Sequence, residues 1–283
     1  MAFAASRELD YDGVARLPAA PGRAVLAWRD LAGGWQRRWM WGALAVHDIK
    51  LRYRGSLLGP FWLTISTAIM VVAMGVIYPY LFHMNAGRYV PYLAVGLIVW
   101  QTLSGIANEG CNTFLGEESV IQQVPVPFSI HAYRCVCRNF LVLGHNLVIV
   151  PFGMLVLRLP VDWQIVMFVP GLVLLAINGV WLSILLGMVS ARFRDVPPIV
   201  TNFIQVVFFL TPVIWPLDAL HGPLRSVIVM NPFFAAMDIV RAPLLGVAPA
   251  ATSWPIMLVT TAVGCGLGFA LFARFRTRIA YWV

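Results

Sequence analysis

The run FWLTISTAIMVVAMGVIYPYLF, residues 61–82, decides the fold class. It contains no charged side chain, and a helix of that length spans about 33 Å, enough to cross a hydrocarbon core about 30 Å thick. The whole chain has the same character: 60% of its 283 residues are hydrophobic, 11% are charged, and the mean hydropathy is +0.80. A soluble domain is nearer half apolar and a quarter charged. The sequence therefore predicts an all-α integral membrane protein.

Further apolar runs predict six transmembrane helices in all. They cover residues 61–82, 89–108, 139–157, a span within 163–191, a span within 196–217, and 254–273. Because six is even, both termini lie on one side of the membrane. Sixteen of the twenty basic residues flank the spans on that side. Basic residues accumulate in the cytoplasm, which predicts a multi-pass protein of a bacterial inner membrane with both termini cytoplasmic.

The basic residues are spread between the apolar runs and not gathered on one face, so nucleic-acid binding is not expected. The chain divides into four parts. They are a flexible cytoplasmic tail (1–30), an amphipathic interface helix with the lead-in to span one (31–58), the transmembrane domain (59–274) and a cytoplasmic C-terminus (275–283).

Two segments outside the spans have a distinctive composition. In residues 31–49, Trp35, Trp39 and Trp41 surround two arginines, which predicts an amphipathic helix in the lipid headgroup layer. Its tryptophans suit simple anchoring as well as contact with a partner protein. Residues 218–253, between spans five and six, contain four prolines and apolar stretches too short to cross the bilayer. They predict short re-entrant helices at the outer face.

The sequence contains none of the usual catalytic signatures. There is no nucleotide-binding Gly-x-x-x-x-Gly-Lys-Ser/Thr loop, no His-Glu-x-x-His and no Gly-x-Ser-x-Gly. The four cysteines lack metal-ligand spacing, and His145 is the one ionisable residue well inside a predicted span. We therefore expect no catalytic residue, metal or cofactor on this chain, and an energy source outside it.

Two basic segments flank predicted spans on the cytoplasmic side. The first is DIKLRYRGSLLGPFW at residues 48–62, with Arg52 and Arg54, and the second is ARFRDVPP at residues 191–198. From the residues alone, both could simply hold helix ends against anionic headgroups. The first segment, however, resembles the opening of the ABC-2 type permeases that export polysaccharides. Segments that resemble the same family follow in its order: 92–100, 120–128, 192–195, 208–216, 231–233 with Arg241, and 278–282.

The resemblance implies a transport subunit and its partners. Such permeases form homodimers and dock two copies of a separate ABC ATPase, which holds the ATP and Mg. The cargo would be a lipid-linked polysaccharide passing outward between the subunits. The resemblance places ATPase coupling in two cytoplasmic segments. Their residues are Glu117, Glu118, Arg192, Arg194 and Asp195.

The same resemblance suggests where the cargo passes. Aromatic side chains beside spans one and five suit the C–H faces of a sugar polymer; they are Phe61, Trp62, Phe208, Phe209 and Trp215. Arg52 and Arg54 could engage the pyrophosphate of the lipid carrier, with phospholipid headgroups an equal alternative. Two other functions remain open. One is a membrane-embedded enzyme of lipid or glycan assembly, and the other is an ABC-2 exporter of lipid or drug, which shares the six-helix plan.

Overall fold

The computed structural model describes residues 21–59, 61–81, 83, 85–151, 153 and 162–283, and within them every regular element is a helix. The α-helices in this part are α1 (Arg23–Gln36), α2 (Arg38–Arg52), α3 (Phe61–Leu81), α4 (Ala86–Cys111), α5 (Glu118–Gln123), α6 (Ser129–Leu147), α7 (Phe168–Arg192), α8 (Val196–Leu210), α9 (Pro223–Val229), α10 (Pro232–Leu244), α11 (Ser253–Phe275) and α12 (Ile279–Trp282). Short 3-10 turns at Leu115–Glu117, Trp163–Met167, Leu217–Ala219 and Arg276–Arg278 join some of them.

Four helical stretches are long and apolar enough to cross a membrane. They are Phe61–Leu81, Ala86–Cys111, Trp163–Arg192 and Ser253–Trp282. They confirm the first, second, fourth and sixth predicted spans. A fifth is possible if α9 and α10, which bend by 76° where they meet, count as one broken span. The described residues therefore contain four or five candidate spans, and the predicted total of six is not reached.

The other two predicted spans fall short for different reasons. α6 carries Arg134 and Arg138 and ends at Leu147, while residues 152 and 154–157 of the predicted third span lie outside the described residues. α8 has only 15 residues because Thr211 leaves the helix with extended backbone angles. Thr211 precedes a proline, and the proline ring disfavours helical angles in the residue before it.

α4 is the central helix of the bundle. It contacts α3, α6, α7, α8 and α10. Leu93 to Trp100 are all buried, which is what a helix apolar on every side requires. Its first turn is capped by Asn85, whose side chain accepts a hydrogen bond from the Gly87 amide at 2.8 Å.

α3 is buried on one side only. Its buried residues, Thr67, Val71, Gly75 and Pro79, recur every fourth position and face α4. A Cβ atom at Gly75 would come within 3.0 Å of the Val90 side chain, so the absence of a side chain lets these two helices approach closely. The opposite side of α3, with Ile69, Val72, Val76 and Ile77, is exposed, and this apolar surface must face lipid or another protein.

α7 and α11 also pack through small residues. A Cβ atom at Gly264 would overlap the indole of Trp181, whereas one at Gly266, two positions along the same helix, would meet nothing. The Trp181 indole also donates to the Asn178 side chain at 2.9 Å. Asn178 in turn donates to the Thr261 hydroxyl on α11 at 2.6 Å. Close packing and polar contacts therefore join these two helices, as is common within membranes.

The N-terminal region differs from its prediction. Helix α1 begins at Arg23, inside the segment predicted to be flexible, and a break at Arg37 separates it from α2. The reason is tertiary: Ala27 and Asp30 are buried against the rest of the protein, and Gly34 lies against the Ser129 side chain at the start of α6. Residues 1–20 of the predicted tail lie outside the described residues.

Candidate functional site

Six charged side chains form a continuous chain of ion pairs at the end of the bundle where α4 and α7 finish and α6 begins. In order they are Arg52, Glu109, Arg138, Asp48, Arg134 and Glu117, so that positive and negative charges alternate. The closest N–O distances of the successive pairs are 2.9, 2.8, 2.8, 2.6 and 2.7 Å. We call this group the charge chain.

Helix periodicity explains how the charge chain is assembled. Asp48 and Arg52 are four residues apart on α2, as Arg134 and Arg138 are on α6, so each pair lies on one helix face. Glu109 comes from the last turn of α4 and Glu117 from the 3-10 turn before α5. The ion pairs therefore connect α2, α4, α6 and the lead-in to α5.

Asp48 is the centre of the charge chain. Its carboxylate accepts two hydrogen bonds from Arg134, at 2.8 and 2.6 Å, and one from Arg138 at 2.8 Å. Burial alone would raise the pKa of Asp48, but the hydrogen bonds and charges of the two arginines outweigh it, and the pKa lies below its usual value. Asp48 is therefore ionised at neutral pH.

A second polar junction lies around Asp30, whose side chain is completely buried. Its carboxylate accepts hydrogen bonds from the Phe128 and Ser129 amides at 3.2 and 3.0 Å. It also accepts one from Arg276 Nε at 2.7 Å. A buried charge needs such partners. Asp30 thereby joins α1 to the start of α6 and to the end of α11.

A cavity of about 160 Å³ lies beside the charge chain. Glu109, Glu117 and Arg138 line it, together with His131, which is only 4% exposed. Neither ring nitrogen of His131 has a hydrogen-bond partner within the described residues. Burial lowers the pKa of His131 to about 4, with a further contribution from the charge of Arg134, so the ring is neutral at pH 7.

The low pKa of His131 predicts a pH dependence of stability. Between pH 6.5 and about 4 the unfolded chain binds a proton that the folded protein does not, so stability falls as the pH falls. We expect a loss of about 2 kcal/mol from this residue between pH 7.5 and pH 5. His131→Gln should flatten the dependence, measured from unfolding in mild detergent, whereas the same change at the exposed His47 should not. An unchanged dependence in His131→Gln would contradict the assignment.

The predicted coupling residues occupy two different environments. Glu117 belongs to the charge chain, whereas Glu118, Arg192, Arg194 and Asp195 are exposed. Both segments also touch the C-terminus of the chain. Gln122 of α5 donates to the Val283 carbonyl at 3.3 Å, and the Arg192 guanidinium lies 5.4 Å from the centre of the Trp282 ring.

The two arginines predicted to bind a lipid pyrophosphate are placed differently from each other. Arg52 donates to Glu109 at 2.9 Å while half of its side chain stays exposed. Arg54 is exposed and makes no ion pair within the described ranges. Contact of either residue with a lipid phosphate stays a prediction. Arg54 has the freer side chain for that role.

The five predicted path aromatics separate into two groups. Phe61, Trp62 and Phe209 are exposed. Phe208 instead packs against Trp100 of α4, with ring centroids 5.5 Å apart. The half-buried Trp215 donates its indole N–H to the Phe209 carbonyl at 3.1 Å. The rings of the first group are exposed on the surface of the subunit, whereas Phe208 and Trp215 are only partly accessible.

The segment that follows α8 is held from two sides. Tyr92 donates from its hydroxyl to the carbonyls of Pro212 and Trp215, at 2.9 and 3.1 Å. The buried Arg241 donates to the Pro212 carbonyl at 2.8 Å and lies 4.0 Å from the centre of the Tyr92 ring. These contacts satisfy backbone groups that would otherwise be unpaired where the helix stops.

Sequence reasoning did not identify Asp30, Asp48, Glu109, Arg134 and Arg138 as a group. The sequence did carry one signal: Asp48 and Arg52 are four residues apart on α2, as Arg134 and Arg138 are on α6, so each two side chains share one helix face. No local signal pointed to Asp30. In the part of the chain that the structure describes, no three His, Cys, Asp or Glu side chains are arranged to hold a metal ion.

The fold and the charge chain define a multi-pass helical membrane protein. Its long helices are apolar, and ion pairs join several of them at one end of the bundle. A model of the ABC-2 type transporter family matches residues 41–245. The chain belongs to this family. The match includes all six residues of the charge chain.

Three curated relatives carry the same name. The O-antigen export system permease protein RfbA of Myxococcus xanthus is 27% identical over 213 residues, which are 74% of this chain and 81% of that protein. Two proteins of that name from Klebsiella pneumoniae are 24% identical over 189 residues and 22% identical over 245 residues. These matches cover 65% and 82% of this chain, and 72% and 90% of the relatives.

Proposed function

We propose that this chain is the permease subunit of an ABC transporter that exports a lipid-linked polysaccharide across a bacterial inner membrane. It works as a homodimer with two copies of a separate ABC ATPase, which binds ATP and Mg. The observation that carries the proposal is the similarity to three O-antigen export permeases over 72% to 90% of their lengths. The apolar helices and the family membership support it.

We further propose six spans with both termini in the cytoplasm. In this arrangement α6 continues into the third span, and α8 with residues 211–216 forms the fifth. α9 and α10 are then re-entrant helices at the outer face, which their 76° bend supports. The distribution of basic residues supports the orientation. The charge chain and α5 would then lie at the cytoplasmic end.

Helices α1 and α2 suit the proposed position in the headgroup layer. Trp28, Trp35 and Trp39 are exposed, although an exposed tryptophan in water is unfavourable. Arg37 and Arg38, beside them in sequence, can reach anionic lipids. Because Asp48 and Asp30 bind these helices to the bundle, the same helices can respond to movement at the cytoplasmic end.

The charge chain gives the proposed coupling a physical route. Force applied by the ATPase at α5 acts on Glu117 at its start, which is ion-paired to Arg134. Arg134 shares Asp48 with Arg138, and Arg138 binds Glu109 on the central helix α4. Paired and partly buried charges resist separation because each would be left without its partner. We propose that movement therefore passes from α5 to α2 and α4 together.

The exposed face of α8 supports a hydrated path for the cargo. Pro198, Asn202, Gln205 and Phe209 recur at helical spacing, and all four are exposed. Neither amide has a hydrogen-bond partner in the described part of the chain. An unpaired amide facing hydrocarbon is unfavourable. We propose that this face lines the path between two subunits, where the amides bind sugar hydroxyls and the ring contacts C–H faces.

The test of function is an inactivating deletion in the native host. We expect surface polysaccharide to be lost and lipid-linked polymer to accumulate on the cytoplasmic side, with the same phenotype from a catalytically dead ABC ATPase partner. If the purified chain converted a lipid substrate without any ATPase, the chain would be a membrane enzyme instead. If the amount of surface polysaccharide stayed normal while export of a lipid or drug stopped, the proposed polysaccharide cargo would be wrong.

A further inference from the structure

Three exposed arginines lie beside a pair of contacting rings where α11 ends. The rings of Phe275 and Trp282 have their centroids 5.8 Å apart. The guanidinium carbons of Arg274 and Arg278 lie 5.5 and 5.9 Å from the centre of the Phe275 ring. That of Arg192 lies 5.4 Å from the centre of the Trp282 ring. Cation–π attraction holds a guanidinium in place without using its hydrogen-bond donors. We call these three arginines the arginine cluster.

The arginine cluster has no acidic partner within the described residues. None of its side chains makes an ion pair or a hydrogen bond there. Arg276, in the same turn, differs because it binds the buried Asp30 at 2.7 Å. Two exposed carboxylates, Asp195 and Glu118, lie on neighbouring segments, but neither forms an ion pair with the cluster. The cluster therefore keeps its positive charge available for a ligand outside the chain.

The face of α11 that leads to the arginine cluster is apolar. Val259, Val263 and Leu267 are each more than half exposed and recur every four residues. Arg274 lies two turns beyond Leu267 on the same face. The buried residues of the helix, among them Gly264, lie on the other side, against α7. Because α11 belongs to a candidate membrane span, this apolar face suits acyl chains and Arg274 lies at the level of the headgroups.

The aromatic residues around the arginine cluster suit the same position. Tyr281, next to Trp282 in sequence, is 87% exposed. Tyrosine and tryptophan accumulate where a membrane meets water, because their rings combine apolar and polar parts. Arginine at that depth favours phosphate, to which its planar guanidinium can donate two parallel hydrogen bonds. The composition of this surface is therefore that of a phosphate site at a membrane boundary.

We propose that the arginine cluster binds the phosphate of an anionic phospholipid, whose acyl chains lie along the exposed apolar face of α11. The proposal commits to a membrane lipid because the positive charge continues an apolar face on the same helix, which a free phosphate ion would not need. With the termini in the cytoplasm, as proposed above, the lipid belongs to the cytoplasmic leaflet. The inference depends neither on the cargo nor on the ATPase, so either proposal can fail alone.

The test measures lipid binding to the purified full-length chain in mild detergent. Native mass spectrometry compares phosphatidylglycerol, which is anionic, with phosphatidylcholine, which has no net charge. We expect the unmodified chain to bind phosphatidylglycerol about tenfold more tightly. Arg274→Gln combined with Arg278→Gln should remove most of this preference, because two of the three positive charges are lost. Added salt should weaken binding of phosphatidylglycerol to the unmodified chain.

Two control variants make the comparison specific. Arg274→Lys with Arg278→Lys keeps both charges, so its affinity for phosphatidylglycerol should stay within about threefold of the unmodified chain. Arg88→Gln removes an exposed arginine at the start of α4, the opposite end of the bundle, and should leave the affinity unchanged. Melting curves without lipid show whether the glutamine variant is folded.

A phosphatidylglycerol with a photoreactive group near its headgroup gives a second readout that needs no variant. Its crosslinks to the unmodified chain should map to residues 274–282. Equal affinity for the two lipids, unchanged binding by the folded glutamine variant, or crosslinks confined to other helices would overturn the inference. It is also wrong if inorganic phosphate displaces the lipid, since the site then recognises the free ion. Crosslinks that vanish only when an acidic protein partner is bound would support it, because both compete for the same charges.

Discussion

Asp48→Asn is expected to destabilise the protein by about 3 kcal/mol and to abolish export. Asparagine keeps the size of the side chain but removes the charge that neutralises Arg134 and Arg138. Its amide nitrogen cannot accept a hydrogen bond from either guanidinium. Two largely buried arginines then lose their shared partner, and the link between α2 and α6 opens. Denaturant unfolding in mild detergent, followed by tryptophan fluorescence, measures the loss of stability.

The matched control removes a carboxylate that the charge chain does not use. Asp218 is 92% exposed and lies 3.5 Å from Arg225, so Asp218→Asn should change stability by less than about 0.5 kcal/mol. A double-mutant cycle adds a sharper test. Arg134→Gln should cost less in the Asp48→Asn background than in the unmodified chain, because the pair is already broken. Strictly additive losses would show that the two side chains are not coupled.

Asn202→Leu combined with Gln205→Leu is expected to reduce polysaccharide export at least tenfold while leaving ATPase binding intact. Both residues are exposed on α8, and leucine would replace two hydrogen-bonding amides with apolar surface. Water and sugar hydroxyls would lose their partners along the proposed path. The rate at which surface polymer appears after induction measures the effect.

The control keeps both amides and exchanges their lengths, as Asn202→Gln with Gln205→Asn. We expect export within about threefold of the unmodified chain, because hydrogen-bonding capacity is retained. The opposite interpretation, that this face touches lipid, makes a different prediction. Leucine facing lipid should raise stability and leave export unchanged, and that result would remove α8 from the path.

The candidate spans could be read from the sequence because hydropathy is a local property. A run such as residues 61–82 is apolar whatever surrounds it, and α3 follows it to within one residue. Predictions failed where local pattern and tertiary contact disagree. The helix α1 starts at Arg23 in a segment of ordinary composition, because burial of Ala27 and Asp30 stabilises it. α8 ends early, just before Pro212, because the effect of a proline on the backbone is not visible in the hydropathy of the run.

The candidate site was only partly predictable for a related reason. Arg52 and Glu117 were identified from the sequence, but as a lipid ligand and a coupling residue, each considered without its ion-pair partner. The structure instead places the two residues at opposite ends of one chain of charges. The aromatic residues were chosen as a set, yet side-chain direction on one helix separates Phe208, which is partly buried against the core, from the exposed Phe209.

By itself the sequence determined the membrane environment, the helical class and the positions of four spans, since each depends on residues that are neighbours in the chain. Only the tertiary structure decided which charges meet. Arg52 and Glu109 are 57 positions apart, Asp48 and Arg134 are 86 apart, and Asp30 and Arg276 are 246 apart. No periodicity links residues at such separations. They meet because helices packed around α4 bring their ends to the same place, where partly buried charges are stable only in the company of opposite ones.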